Sequence, residues 1–178
     1  LVQSAMDYPY VFTATDTLGM TSTVEGKISV DVLVIRVGDV LKMAVPSIIF
    51  RSDAADFKTE DELKGGITLA QKTNNERVLK RIAEILNKFK NYTVTIEGHA
   101  NNVSGTEAEE TQDTVQYGKA LKPLSQERAE FVKEQLKKNG VDSARLTAVG
   151  RGGSQPVVAR SDKDNWWKNR RVEFILNK

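Results

Sequence analysis

Between residues 1 and 40 the apolar positions fall in short runs rich in Val, Ile, Thr and aromatics. YPYVFTATD, STVEGKISV and DVLVIRV read as strands, separated by turn signals at Leu18-Gly19 and Glu25-Gly26. These are too few for a sandwich of about seven strands. The 1–40 segment is therefore expected to be the end of a larger β domain, or an extension packed on the rest of the chain.

From Val40 the pattern changes. LKMAVPSIIF reads as a short buried strand, followed by the polar loop RSDAADFKTEDELKGG. Val78, Ile82, Ile85, Leu86 and Phe89 then recur at helical spacing, and Thr73 with Glu76 predicts a capping box at the start of that helix. YTVTIEGH is a strand with Val94 and Ile96 on one face, stopped by Gly98. A long polar segment, ANNVSGTEAEETQDTVQYGKALK, leads to a second helix with Ala129, Val132 and Leu136 on its apolar face and Asn139-Gly140 at its end. RLTAVG is a short strand. The last strand, RRVEFIL, comes after the loop SQPVVARSDKDNWWKN and puts Val172, Phe174 and Leu176 on one face. The order β-α-β-α-β-β over residues 41–178 predicts an α/β (α+β) two-layer sandwich with helices on one side of a sheet.

Composition narrows the chemistry. A net charge of +2 gives no reason to expect nucleic acid or an acidic membrane as partner. No apolar run approaches the roughly eighteen residues of a membrane span. The chain opens on Leu1 without a basic and apolar leader, as expected of a mature product or a cut fragment. The absence of cysteine rules out disulfides and thiol nucleophiles. His99 is the single histidine, so a two-histidine zinc motif is excluded, and the expectation is a buried histidine hydrogen-bonded to a loop. GRGGSQP lacks the third glycine of a dinucleotide fingerprint, and Gly118-Lys119-Ala120 fails the phosphate-loop pattern. Trp166 and Trp167 stand near Lys163, Lys168, Arg170 and Arg171, but Asp162 and Asp164 interrupt the basic run. Core tryptophans beside a solvated face are expected rather than a base-stacking platform. Nothing predicts an enzyme, a cofactor or a metal site.

The second helix poses one question. Ser125 reads as its N-cap, which makes Arg128 the third helical residue, where a capping box would carry Glu or Gln. A cation there meets the positive end of the helix dipole, unfavourable by ~0.3–1 kcal/mol unless an anion is near. The internal candidates are Glu127, Asp113 and Asp53.

Three segments taken together, VTIEGHAN (94–101), LSQERAEFVKEQLKKNGV (124–141) with RLTAVGRGGSQPV (145–157), and NRRVEFIL (169–176), resemble the OmpA-like peptidoglycan-binding domain of the OmpA C-terminal, Pal and MotB type. VPSIIFRSDAADF (45–57) is similar to the opening strand and adjoining loop of that family, and GGSQPVVARSDKDNWWKNRRVEFIL is similar to its spirochaete members. FTATDTLGMTSTVEG resembles the last strands of a bacterial Ig-like repeat.

The resemblance implies a periplasmic, outer-membrane-associated anchor that grips the diamino acid of the peptidoglycan stem peptide. An aspartate takes the ammonium, and an arginine helped by helix N–H groups takes a carboxylate. The arginine position is Arg128, and the aspartate position is Asn101, an amide that can accept from an ammonium but carries no charge. The pocket so implied is walled by Arg51, Ser52, Asp53, Asn101, Leu124, Ser125 and Arg128. Asn169, with Arg170 or Arg171, is expected to support it. The alternative function is an OmpA-like fold that has lost peptidoglycan and serves as a structural or protein-interaction module of the envelope.

Overall fold

The computed structural model describes residues 6–30, 33–113 and 119–178. Asp31 and Val32 of the third expected strand, and residues 114–118 of the long polar segment, lie outside them. Strands β1 (Met6–Thr15) and β2 (Thr21–Val30) form a two-stranded antiparallel hairpin, closed at its tip by Asp16, whose side chain accepts from the N–H groups of Leu18 and Met20.

The remaining strands make one five-stranded mixed sheet in the order β3-β4-β7-β5-β6. They are β3 (Leu33–Val37), β4 (Val40–Ala44), β5 (Thr93–Gly98), β6 (Leu146–Gly150) and β7 (Val172–Asn177). The change of pattern expected at residue 40 falls inside the β3–β4 hairpin, both of whose strands belong to this sheet. Only β5 and β6 run parallel, joined through a helical crossover. LKMAVPSIIF is a strand only as far as Ala44, because Pro46 has no N–H for a ladder. Beyond it, the buried amide of Asn75 takes the place of a neighbouring strand, accepting from the N–H of Ile49 and donating to its carbonyl.

Two long helices, α1 (Leu69–Lys88) and α3 (Leu121–Lys138), cover the sheet face carrying Val94, Ile96 and Phe174. Val78, Ile82 and Leu86 from α1 meet Ala129, Val132 and Leu136 from α3 in a single core. Each buried aliphatic side chain of that core contributes ~1.5–3 kcal/mol. A short helix, α2 (Glu107–Thr111), interrupts the long polar segment.

Both long helices begin earlier than the pattern predicts. The capping box of α1 is Thr68 with Gln71, not Thr73 with Glu76. The chain offers two such boxes five residues apart, and no breaker between them stops the helix from extending to the earlier one. For α3 the first residue is Leu121, so Ser125 is not a cap. Pro123 is tolerated because a proline in the first turn lacks only an N–H that would have no helical partner. Arg128 therefore sits two turns into the helix, and the expected clash with its positive end does not arise.

The N-terminal half of α3 lies hard against the sheet. A Cβ at Gly98 would collide with the Ser125 carbonyl, and one at Gly150 with the backbone of Gln126. Gln126 also serves the edge strand β6, accepting from Gly150 N–H (2.6 Å) and donating to Ala148 O (3.2 Å).

Candidate functional site

Where β5 ends, β7 begins and α3 starts, the loop after β4 folds over the gap and leaves a cavity of about 700 Å³. Its walls include Arg51, Ser52, Asp53, His99, Asn101, Leu124, Arg128, Trp166, Trp167 and Arg170.

Arg128 is 8 % exposed. Its Nε donates to Ala54 O (3.0 Å) and its Nη2 to Arg51 O (3.2 Å), while the guanidinium lies 5.2 Å from the centre of the Phe50 ring. Among the described residues Nη1 makes no hydrogen bond, and no carboxylate pairs with the group. Of the three internal acids, Glu127 pairs with Lys119 and Asp113 accepts from Ala120 N–H at the start of α3. Asp53 acts on Arg128 through space, and Glu127 does so more weakly. Burial lowers the Arg128 pKa and Asp53 opposes that shift, yet a guanidinium stays charged in any protein. The 51–57 loop is stiffened by the bidentate Arg51–Asp56 pair, whose hydrogen bond holds the Asp56 carboxyl below its ordinary range. Phe50, Phe57 and Phe131 stack beneath it, with ring centres 4.8 to 6.2 Å apart.

Asn101 and Asn169 form a directed pair. Asn169 is buried, and its Oδ1 accepts from the N–H groups of Val157 (2.8 Å) and Val158 (3.0 Å). Its Nδ2 must then donate, and it does so to Asn101 Oδ1 at 2.8 Å and Val158 O at 3.2 Å. Asn101, expected to accept from an ammonium, has its oxygen engaged by Asn169. Its Nδ2 is closed to solvent and has no hydrogen-bond partner among the described residues. An unsatisfied buried donor costs ~1–3 kcal/mol.

Ser125 is fully buried and does not line the cavity. Its Oγ donates to Lys122 O and accepts from Gly152 N–H, both at 2.9 Å, tying α3 to the turn after β6. Asn169 does not line the cavity and touches its wall through Asn101. Two acids of the long polar segment, Glu109 and Glu110, are engaged by nearby N–H groups. Glu109 accepts from Val103 N–H (3.0 Å) and Ser104 N–H (2.6 Å), and Glu110 from Gly153 N–H and Asn102 Nδ2.

The tryptophans are not core residues. A 3-10 segment (Lys163–Asn169) brings both to the cavity, where Trp166 donates to Arg160 O (3.0 Å) and Trp167 is half exposed. Two adjacent aromatics in a polar loop, just before the Asn169-Arg170-Arg171 opening of a strand, are the signal that could have marked them. Arg170 reaches the cavity without an ion-pair partner among the described residues, while Arg171 is bound to Glu173.

His99 is 2 % exposed, but among the described residues neither ring nitrogen finds a hydrogen bond, contrary to expectation. The loop is held instead by its backbone N–H, which donates to Arg171 O. Burial, with Arg171, pushes the imidazole pKa down to about 4. Glu97, His99 and Glu173 are close enough to share an ion. Their carboxylates already bind Arg151, Lys42 and Arg171, whose three charges leave little negative charge for a divalent cation.

The sequence profile of the OmpA family matches residues 64–170. The peptidoglycan-associated lipoprotein of Buchnera aphidicola subsp. Baizongia pistaciae is 32 % identical over 133 residues, covering 71 % of this chain and 69 % of that protein. That of Agrobacterium fabrum is 30 % identical over 101 residues, and the chain spans half the length of that relative. Among solved structures, the periplasmic domain of Helicobacter pylori MotB superposes with a TM-score of 0.58 at 20 % identity, covering 93 % of this chain and 87 % of that one. A putative MotB-like protein from Desulfovibrio vulgaris gives 0.59 at 23 % identity, covering 83 % and 78 %. These last two are likenesses of fold.

Proposed function

From a chain that belongs to the OmpA family, we propose a non-catalytic envelope domain that binds peptidoglycan in the periplasm and so anchors an outer-membrane-associated protein to the cell wall. The observation that carries this reading is Arg128, a buried guanidinium on a cavity wall, held by two backbone carbonyls and neutralised by no internal carboxylate pair. Such a group is preorganised for a carboxylate, because its position is already fixed and its charge is unspent. The stem peptide of peptidoglycan supplies carboxylates. The Trp166 and Trp167 side chains provide apolar surface for the rest of that ligand.

The test is co-sedimentation with purified sacculi. Arg128→Ala is expected to weaken binding at least about tenfold, the loss of one charge-assisted hydrogen bond. Equal sedimentation of wild type and variant would leave the fold serving as a protein-interaction module, a reading favoured by Asn101 standing where the family has an acid.

A further inference from the structure

Trp167 is 51 % exposed, although an indole is the largest apolar surface a side chain can bury. One face of its ring carries the Lys168 ammonium, 5.6 Å from the ring centre. The exposed area therefore belongs chiefly to the opposite face and the edge of a ring that lines the cavity holding Arg128. Trp166 beside it is fixed by its hydrogen bond to Arg160 O, so the rim is firm. The donors around this rim are unspent. Among the described residues Trp167 Nε1 makes no hydrogen bond, and neither Lys168 nor Arg170 has a carboxylate partner. The cavity is also larger than one anchored amino acid needs, since its volume of about 700 Å³ lies in the range that encloses a drug-sized ligand.

Resting on the peptidoglycan reading, we propose that Trp167 and its neighbours form a saccharide subsite. A pyranose ring of the glycan strand, to which the stem peptide is covalently joined, lies against the open indole face while a peptide carboxylate is held by Arg128. The chemistry fits on both sides of the sugar. The C–H bonds on one face of a pyranose are apolar and weakly positive, and they meet the negative face of an aromatic quadrupole. The hydroxyl and acetamido oxygens around its edge are acceptors for Trp167 Nε1, Lys168 and Arg170. A sugar ring is uncharged, so Asp53 on the same wall does not oppose it. The same acid would repel the phosphates of a nucleic acid whose bases stacked on this indole. Arg128 reads the peptide, and Trp167 reads the sugar that carries it.

The experiment compares two ligands by isothermal titration calorimetry. One is the disaccharide tetrapeptide released from sacculi by a muramidase. The other is the same tetrapeptide acetylated at its N-terminus, which lacks the sugar but keeps the amide that joins them. Wild type is expected to bind the saccharide form about tenfold more tightly. In Trp167→Ala that ratio is expected to fall to parity, and in Trp167→Phe to lie between, with denaturant midpoints showing that both variants are folded. Equal affinities in wild type, or a ratio that survives Trp167→Ala, would overturn the proposal. If the acetylated peptide binds through Arg128 with no gain from the sugar, the saccharide subsite alone fails. If neither ligand binds, the subsite is refuted as well, and sacculus binding that persists in Arg128→Ala would remove the peptidoglycan reading itself.

Discussion

Two arginines in this protein are held by backbone carbonyls, and they differ in what is left over. At the end of the sheet away from the cavity, Arg145 donates through Nε and Nη2 to Tyr92 O, through Nη1 to Leu86 O and again through Nη2 to Phe89 O, at 2.7 to 3.0 Å. It closes the C-terminus of α1, where helix carbonyls lack partners and a cation is favoured. Every nitrogen is used. Arg128, at the other end, meets only two carbonyls and keeps Nη1 unbonded among the described residues. A charged group without a carboxylate is thus no sign of a binding site by itself. The sign is the donor capacity that the fold leaves unused.

That contrast can be broken first at Arg145. Replacing it by alanine removes a charge and its hydrogen bonds to three carbonyls, of which only Phe89 O keeps a second donor among the described residues, Tyr92 N–H, and is expected to cost about 3–4 kcal/mol. The readout is a lower denaturant midpoint with unchanged sacculus binding by the folded fraction. A cost under ~1 kcal/mol would mean that water replaces the guanidinium, and the two arginines would no longer differ in kind.

The next effect concerns acid. His99 lies on the cavity wall with neither ring nitrogen hydrogen-bonded among the described residues, Nε2 standing 3.7 Å from a Glu97 carboxylate oxygen, and beside Glu173, Arg171 and Lys42 its pKa falls to about 4 against an ordinary 6.5. The unfolded chain therefore takes up a proton below pH 6.5 that the folded chain refuses until about pH 4. Stability is complete above that window and is lost as pH falls through it, by on the order of 3 kcal/mol at 1.36 kcal/mol per pH unit. Glu173, held low by Lys42 and Arg171 against its burial, has the same sign but acts only below the ordinary carboxylate range. Denaturant melts between pH 7 and 4 are expected to show the slope in wild type and a flatter line in His99→Gln. Parallel lines would assign the acid sensitivity elsewhere.

The smallest effect sharpens the comparison at its narrowest point. Asn169→Ala is expected to cost about 1–2 kcal/mol by freeing the Val157 and Val158 N–H groups. It also frees Asn101 Oδ1, while Arg128 keeps its own hydrogen bonds, so the Arg128 contribution to sacculus binding is expected to persist. Loss of that contribution would show that Asn169 also supports the Arg128 side of the cavity.

Much of the scaffold is legible in the residue pattern. Val94 and Ile96, or Val172 and Phe174, alternate because one face of their strands is buried, and that is a local pattern. The helix faces arise for the same reason. Element starts are not legible, since Thr68 and Thr73 offer equivalent caps and only the packed chain chooses between them. Ser125 looks like a cap because serines cap helices, yet its hydroxyl serves Gly152, a partner 27 residues away. The site divides along the same line. Arg128, Asn101 and Asp53 can be named from motif positions, and all three reach the cavity. The direction of the Asn101 amide depends on two N–H groups in a distant loop, and no spacing in the sequence reports that. The tryptophans are misplaced by their hydrophobicity, which argues for burial while a 3-10 segment carries them to the rim.

Gly98 and Gly150 bear on how this cavity could be retuned. Neither lines it, yet each is the thinnest possible spacer between the strand ends and the first half of α3. They work as shims in a joint. A methyl group at either position thickens the joint at one end of the helix only, since Leu136 stays clamped in the core at the other. The helix would pivot, and Leu124 and Arg128 would swing away from the 51–54 loop. The gape of the cavity is therefore adjustable from underneath, by two residues that no ligand touches, and a search for altered specificity could begin there rather than at the walls.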